Sequence, residues 1–236
     1  MRQKITVLTG AGVSAESGIT TFRDSDGLWE NHKVEDVASI EGWYRNPSLV
    51  LDFYNERRAQ LPTVRPNAAH LAIAELEKEY DVTVVTQNVD NLHERAGSTR
   101  IIHLHGELTK VRPENCCNEF DGFSEETVFD IGSAAIAVGD LAPNGAQLRP
   151  HIVWFGEAVP MMDDAIAALR NADIFIIIGT SLNVYPAAGL LNYAPARIPI
   201  YLIDPNEVNV SSSPRLTIIR KGASEGMREV TELIKD

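Results

Sequence analysis

The chain has 236 residues, 44% apolar and 23% charged, enough for one large α/β domain with a small insert and a sizeable core. Its 21 basic residues against 33 acidic ones leave a net charge of −12, which argues against nucleic acid as a partner and suits attraction of basic, lysine-bearing segments. No run approaches transmembrane length, no apolar or arginine-rich leader opens the chain, and Cys116 and Cys117 are its only cysteines, so a cytoplasmic monomer without membrane contact is expected.

In chain order, Lys4 to Thr9 reads as a buried strand ending at Gly10, and Ser14 to Ser17 opens a short helix. Thr20 to Lys33 is a long polar loop. Pro47 to Gln60 reads as a helix carrying Val50, Leu51, Phe53 and Tyr54. Asn67 to Tyr80 has helical spacing, with Leu71, Ile73 and Leu76 on one side. Strands follow at Val82 to Thr86 and Ile101 to Leu104. Lys110 to Gln147, rich in Asn, Glu, Asp and Gly, reads as a small inserted module. Asp163 to Asn171 is a helix, and Ile174 to Ile178 a wholly apolar strand running into Gly179. Ile198 to Ile203 and Leu216 to Ile219 are the last strands, and Ser224 to Lys235 closes the chain as a helix. This alternation predicts an α/β fold, a Rossmann-like doubly wound parallel sheet with a small inserted domain. Residues 1–30, 67–108 and 148–236 would mainly form the nucleotide-binding part, 31–66 a helical insert and 109–147 the small module.

Gly10-x-Gly12-x-x-Ala15 behind a strand fits the dinucleotide pattern, in which glycines admit the pyrophosphate to the backbone. A tight strand-to-helix turn is the other reading. A hydride-transfer enzyme is disfavoured, because no second strand ends in an acid some twenty residues on. The loop TTFRDSDGLWENH stands there instead, with Phe22, Arg23 and Trp29 placed to fold over a nucleotide.

The motifs resemble the sirtuin family: GAGVSAESGITTFR (Gly10 to Arg23), TQNVDNLHERAG (Thr86 to Gly97), HLHGEL (His103 to Leu108), RPHIVWFGE (Arg149 to Glu157), GTSLNVYPAAG (Gly179 to Gly189) and KGAS (Lys221 to Ser224). They occur in the family's order and span nearly the whole chain. The resemblance implies NAD held between a Rossmann-like domain and a smaller one. It implies NAD-dependent removal of acyl groups from protein lysines, NAD being consumed to nicotinamide and O-acyl-ADP-ribose. By the same resemblance Gly10, Ala11, Gly12, Ala15, Glu16, Phe22, Arg23 and Trp29 hold NAD. Asn88 and Asp90 line the nicotinamide pocket, Asn88 as a catalytic residue, and Gln87 sits near the ribose. Gly179, Thr180 and Ser181 hold the adenosine side and Ala223 the adenine. His105 is the general base. His103, two residues away on a strand, is read as structural on the expectation that it faces the opposite side. Val153, Trp154, Phe155 and Gly156 pair with the acyl-lysine peptide. The chemistry fits: an amide oxygen is a weak nucleophile, so positioning and water exclusion must carry the reaction, and a histidine titrating near ~6.5 suits a base.

Tyr54 and Arg57, three apart on one helix, resemble the Tyr-x-x-Arg pair of the sirtuin branch that prefers succinyl and malonyl groups. A guanidinium with a phenol hydroxyl binds the carboxylate such groups carry. A solvated pair, Arg57 and Arg58, is the plainer reading. The family's paired zinc cysteines are missing, and adjacent Cys116 and Cys117 suit no tetrahedral site, so no zinc is expected. The module would then rest on Phe120, Phe123, Val128, Phe129 and Ile131. Thr20 replaces a frequent proline. Leu202 stands where many relatives carry an asparagine for the adenosine ribose, with backbone groups or Asp204 to serve instead. A non-catalytic NAD or ADP-ribose sensor and a protein mono-ADP-ribosyltransferase are the alternatives.

Overall fold

A computed structural model of the chain describes residues 2–20, 28–114, 117–118, 122–123 and 127–235. Strand β1 (Lys4–Thr9) passes through Gly10 into the single turn α1 (Gly12–Ala15). A ribbon of β2 (Leu28–Trp29) and β3 (His32–Lys33) precedes helices α2 (Val34–Val37), α3 (Ile40–Arg45) and α4 (Pro47–Gln60). There follow α5 (Ala68–Leu76), β4 (Asp81–Thr86), α6 (Leu92–Ala96), β5 (Ile101–His103) and β6 (Gly106–Pro113). Short strands β7 (Cys117–Asn118), β8 (Gly122–Phe123) and β9 (Phe129–Asp130) lead to β10 (Leu148–Ile152) and α7 (Met162–Arg170). The chain ends with β11 (Ile174–Ile178), a 3-10 segment Ala187–Tyr193, β12 (Ile200–Ile203), β13 (Leu216–Ile219) and α8 (Ala223–Leu233). Local chemistry sets several boundaries. The Asn46 side chain accepts from Leu49 N–H with Pro47 at the helix start, and Asn67 and His70 form a reciprocal capping box.

Six parallel strands form one sheet in the order β13-β12-β11-β1-β4-β5. Its central strand β11 is apolar throughout because both faces are covered. Ile174, Ile176 and Ile178 join a core with Ile73 of α5 and Met227 and Val230 of α8, whereas Phe175 and Ile177 meet Ala165 and Leu169 of α7. After β1 the chain builds outward through β4 and β5, then returns to the other side of β1 with β11. The C-terminal ends of β1 and β11 are therefore the switch point at which open α/β sheets bind ligands. The two loops cross there in close contact. Gly10 N–H donates to Ile178 O at 3.0 Å and Gly12 N–H to Gly179 O at 2.9 Å. A Cβ on Gly12 would lie 2.6 Å from Gly179 Cα, and one on Gly179, whose φ is +61°, 2.4 Å from Val13 N.

A second lobe has its own core. Trp43, Val50, Phe53 and Tyr54 from α3 and α4 pack with Val111, Ile152 and Trp154 over a three-stranded antiparallel sheet, β10-β6-β9. Phe129 and Ile131 of the small module pack against this core. Phe120 and the side chain of Phe123 lie outside the described residues. Two readings need correction. Leu148–Ile152, grouped with the nucleotide-binding part, pairs instead with β6 in the second lobe (Arg149 opposite Arg112), because a short strand carries no mark of its partner. Leu71 is 53% exposed: it sits about 200° around α5 from Ile73, off the face that α5 buries.

The crossing makes a graded prediction. Gly179→Ala meets both a clash and a left-handed backbone and is expected to cost more than ~2 kcal/mol in urea unfolding. Gly18→Ala meets only the backbone cost, since its φ is +88° but nothing lies within 4 Å, and is expected to cost about 1 kcal/mol. Equal midpoints for the two variants would contradict this account.

Candidate active site

A cavity of ≈ 520 Å³ opens where the C-terminal ends of the sheet face the second lobe, within the usual size range of small-molecule sites. From the sheet come Gly10, Ala11, Gly12, Ala15 and Glu16 after β1, Gln87, Asn88 and Asp90 after β4, and His105 after β5. Gly179, Thr180 and Ser181 after β11, Asp204 after β12 and Ala223 at the start of α8 complete that side. From the second lobe come Trp29, Tyr54, Arg57, Val153, Trp154, Phe155 and Gly156. Phe22 and Arg23 lie outside the described residues. Leu202 is a correction: its side chain is buried in the α7-side core and does not line the cavity, because it points into the sheet packing while Asp204, past the end of β12, reaches the opening. An acidic residue does stand at a strand end, but it is Asp204 after β12, in the half of the sheet that follows Gly179.

On the sheet side, sequence reasoning missed Ser14. Its Oγ–H donates to Asp90 Oδ2 at 2.9 Å and its oxygen accepts from Asn88 Nδ2 at 3.0 Å, so one fully buried hydroxyl orients both polar side chains. A serine inside GAGVSAESG was the available signal, but it reads equally as a helix start. Asp90 accepts Leu92 N–H at 3.0 Å, and burial pushes its carboxyl above the usual carboxylate range. Gln87 Nε2 donates to Thr180 Oγ1 at 3.0 Å, linking the loops after β4 and β11. His105 Nδ1 lies 3.0 Å from Gln87 O. A carbonyl only accepts, so Nδ1 carries the proton and Nε2 keeps the lone pair of the neutral ring. Burial holds His105 below the ordinary histidine value, which keeps that lone pair available at neutral pH.

His103 bonds Glu94 Oε1 through Nε2 at 2.6 Å and Asn88 O through Nδ1 at 3.3 Å, and it does not line the cavity. Residues two apart on a strand share a face; the two histidines diverge only because β5 ends at His103 and the chain turns.

On the lobe side, Arg149 grips Glu157 in a bidentate pair at 2.6 and 2.9 Å, donates to Ile152 O at 3.0 Å and lies 3.5 Å over the Trp154 ring. Glu157 in turn accepts Trp154 N–H at 2.8 Å. This fixes the segment 153–157, which Val153 N–H ties to His105 O at 3.0 Å. Trp154 Nε1 donates to Tyr54 Oη at 2.9 Å, leaving the phenol proton free to donate; burial raises the Tyr54 hydroxyl, so it stays protonated. Arg57 packs over Phe53 at 3.7 Å and donates to Phe53 O at 2.5 Å, yet its buried Nε has no partner among the described residues. Its ion pair with Glu56, at 3.3 Å, involves a carboxylate 71% exposed and is weak. Arg58, read as a possible solvated twin, is buried and serves structure: it donates to Leu108 O and Asn55 Oδ1, both at 2.7 Å.

Residues 10–186 match the profile of the Sir2 family. A protein of Bacteroides thetaiotaomicron named NAD-dependent protein deacylase is 55% identical over 234 residues, 98% of each chain. A solved structure of a Sir2 homolog–NAD complex is similar with a TM-score of 0.84 at 38% identity, over 99% of this chain and 90% of that one. One of a Sir2 protein bound to a propionylated peptide has a TM-score of 0.77 at 29% identity, over 99% and 94%.

Three buried histidines around this scaffold make stability depend on pH. Burial, the largest cause for each, lowers His70 to about 4 and His93 and His151 to about 3. Below about pH 6.5 the unfolded chain protonates these rings while the folded one does not, so stability falls as pH falls, by up to ~1.4 kcal/mol per unit for each. The melting temperature is expected to drop between pH 7 and pH 5; a rise over that interval would contradict the assignment.

Proposed function

The chain belongs to the Sir2 family, and from that premise we propose that it removes acyl groups from protein lysines at the expense of NAD, favouring succinyl and malonyl over acetyl. The observation that carries the acyl preference is the Tyr54 and Arg57 pair: two residues lining the cavity, one with a buried phenol and the other with a buried guanidinium N–H that has no partner among the described residues. A carboxylate at the end of an acyl chain supplies the missing acceptor. An acetyl group leaves Arg57 as it is.

The residues fit NAD as co-substrate. The side-chain-free turn at Gly10 and Gly12 suits the pyrophosphate, Thr180, Ser181, Asp204 and Ala223 the adenosine end, and Asn88 and Asp90 the nicotinamide. NAD supplies the electrophilic ribose carbon that the acyl oxygen attacks as nicotinamide leaves. His105 Nε2 accepts a proton from a ribose hydroxyl, its ring held by Gln87 O. Segment 153–156 lays out the substrate backbone, with the lysine stem against Trp154 and Phe155.

The test is nicotinamide release with matched succinyl-lysine and acetyl-lysine peptides, using His105→Ala as the blank. Arg57→Met is expected to lower kcat/KM for the succinyl peptide about ten- to a hundred-fold, as a charged hydrogen bond of ~1.5–3 kcal/mol is lost. Turnover of the acetyl peptide should be preserved; equal losses on both would refute the acyl assignment. We further propose that the small module needs no zinc, its cohesion coming from the apolar contacts of Phe129 and Ile131. Elemental analysis of the purified protein is expected to find far less than one zinc per chain.

A further inference from the structure

The loop between β4 and α6 hangs by three successive carbonyls from one stretch of chain. Gln87 O accepts from His105 Nδ1 at 3.0 Å, Asn88 O from His103 Nδ1 at 3.3 Å, and Val89 O from Leu108 N–H at 2.8 Å. The first and third contacts need only a neutral group. The middle one differs. His103 Nδ1 faces a carbonyl and Nε2 sits 2.6 Å from a carboxylate oxygen of Glu94, and both of these oxygens only accept. A neutral imidazole has one N–H, so one of the two contacts would set a lone pair against an oxygen; only the imidazolium satisfies both.

We propose that His103, as an imidazolium bridging Glu94 and the Asn88 carbonyl, is a positioning residue that holds Asn88 in its working place and sets the alkaline limit of the reaction. This rests on the deacylase reading, which places Asn88 at the nicotinamide.

The surroundings favour the charge. Glu94 of α6 and Glu107 of β6 bring carboxylate oxygens close to His103 Nε2, all within 4.8 Å of one another, and Lys110 only partly offsets them, pairing with Glu107 at 2.7 Å. Asp90, on the same loop, adds a further acidic group, whereas the neighbouring His93 and His151 are held neutral by burial. Burial pulls His103 down, but the hydrogen bond and charge of Glu94 outweigh it, and its value lies above the ordinary one. Two histidines two residues apart are thus biased oppositely: His105 toward the neutral base, His103 toward the cation. The active form needs both states at once, which confines activity to the pH interval between them.

The experiment is kcat and kcat/KM for nicotinamide release across pH 5.5–9.5, with NAD and a matched acyl-lysine peptide, for the wild type, Glu94→Gln and His103→Gln. The wild type is expected to show an alkaline limb. Glu94→Gln should move it down by about one pH unit or more, as the opposite charge is lost, and His103→Gln should abolish it while keeping the acid limb. An alkaline limb unmoved in both variants overturns the proposal. In parallel, NMR titration of the His103 ring in the wild type is expected to give a pKa above 6.5, and a value at or below 6.5 overturns the proposal whether or not the variants fold. A wild type silent at every pH would sink the deacylase reading instead, and the NMR titration would still judge the charge of His103.

Discussion

Everything in the cavity depends on two backbones crossing with no side chain between them. Gly12 and Gly179 close the gap between the two halves of the parallel sheet, at the point where the chain reverses its direction of build-up. Because the crossing is backbone on backbone, it brings the loops after β1 and β11 to one fixed spacing. Gln87, joined to Thr180, then places the loop after β4 against the same frame. The glycines that look like a phosphate cradle in the sequence have a prior structural task, and the open turn offered to a nucleotide is a by-product of it. The two roles are compatible, since both need the absence of a Cβ.

The second lobe solves a different problem: holding an irregular segment, 153–157, without a sheet around it. Buried charge does this. Arg149 and Glu157 satisfy each other and three neighbouring groups, Ile152 O, Trp154 N–H and the Trp154 ring. Glu157 also lies 3.6 Å from the buried Arg112 guanidinium, so the costlier loss is that of Glu157, which would leave the buried Arg149 without its carboxylate, a cost of several kcal/mol. The pair gives orientation more than net stability, and orientation is what an irregular segment lining a cavity requires.

Much of this was legible in the sequence wherever physics acts locally. The bounds Lys4–Thr9, Pro47–Gln60 and Ile174–Ile178 follow from apolar runs, a proline start and glycine stops. Many of the described motif residues, Gly10, Gly12, Gln87, Asn88, His105 and Thr180 among them, meet at one cavity because strand ends of a doubly wound sheet must converge. What escaped was non-local. Nothing in Leu148–Ile152 says that it joins β6. Nothing in two adjacent arginines says that Arg57 reaches a cavity while Arg58 is buried and donates to Leu108 O. Ser14 matters through Asn88 and Asp90, more than seventy positions away, and its sequence neighbours carry no trace of them. Leu202 and Asp204 differ only in where β12 stops.

The two lobes keep separate cores, and the cavity-lining side chains Tyr54, Arg57 and Trp154 are all furnished by one of them, while Gly10, Gly12, Thr180 and Asp204 line the cavity from the other. Substitutions at Tyr54 and Arg57 fall outside the core that sets the glycine crossing. Such a division means that changes on α4 would alter one side of the cavity while the glycine crossing and the loops it spaces stay in place. On this architecture one wall of the room can be refitted while its frame stands.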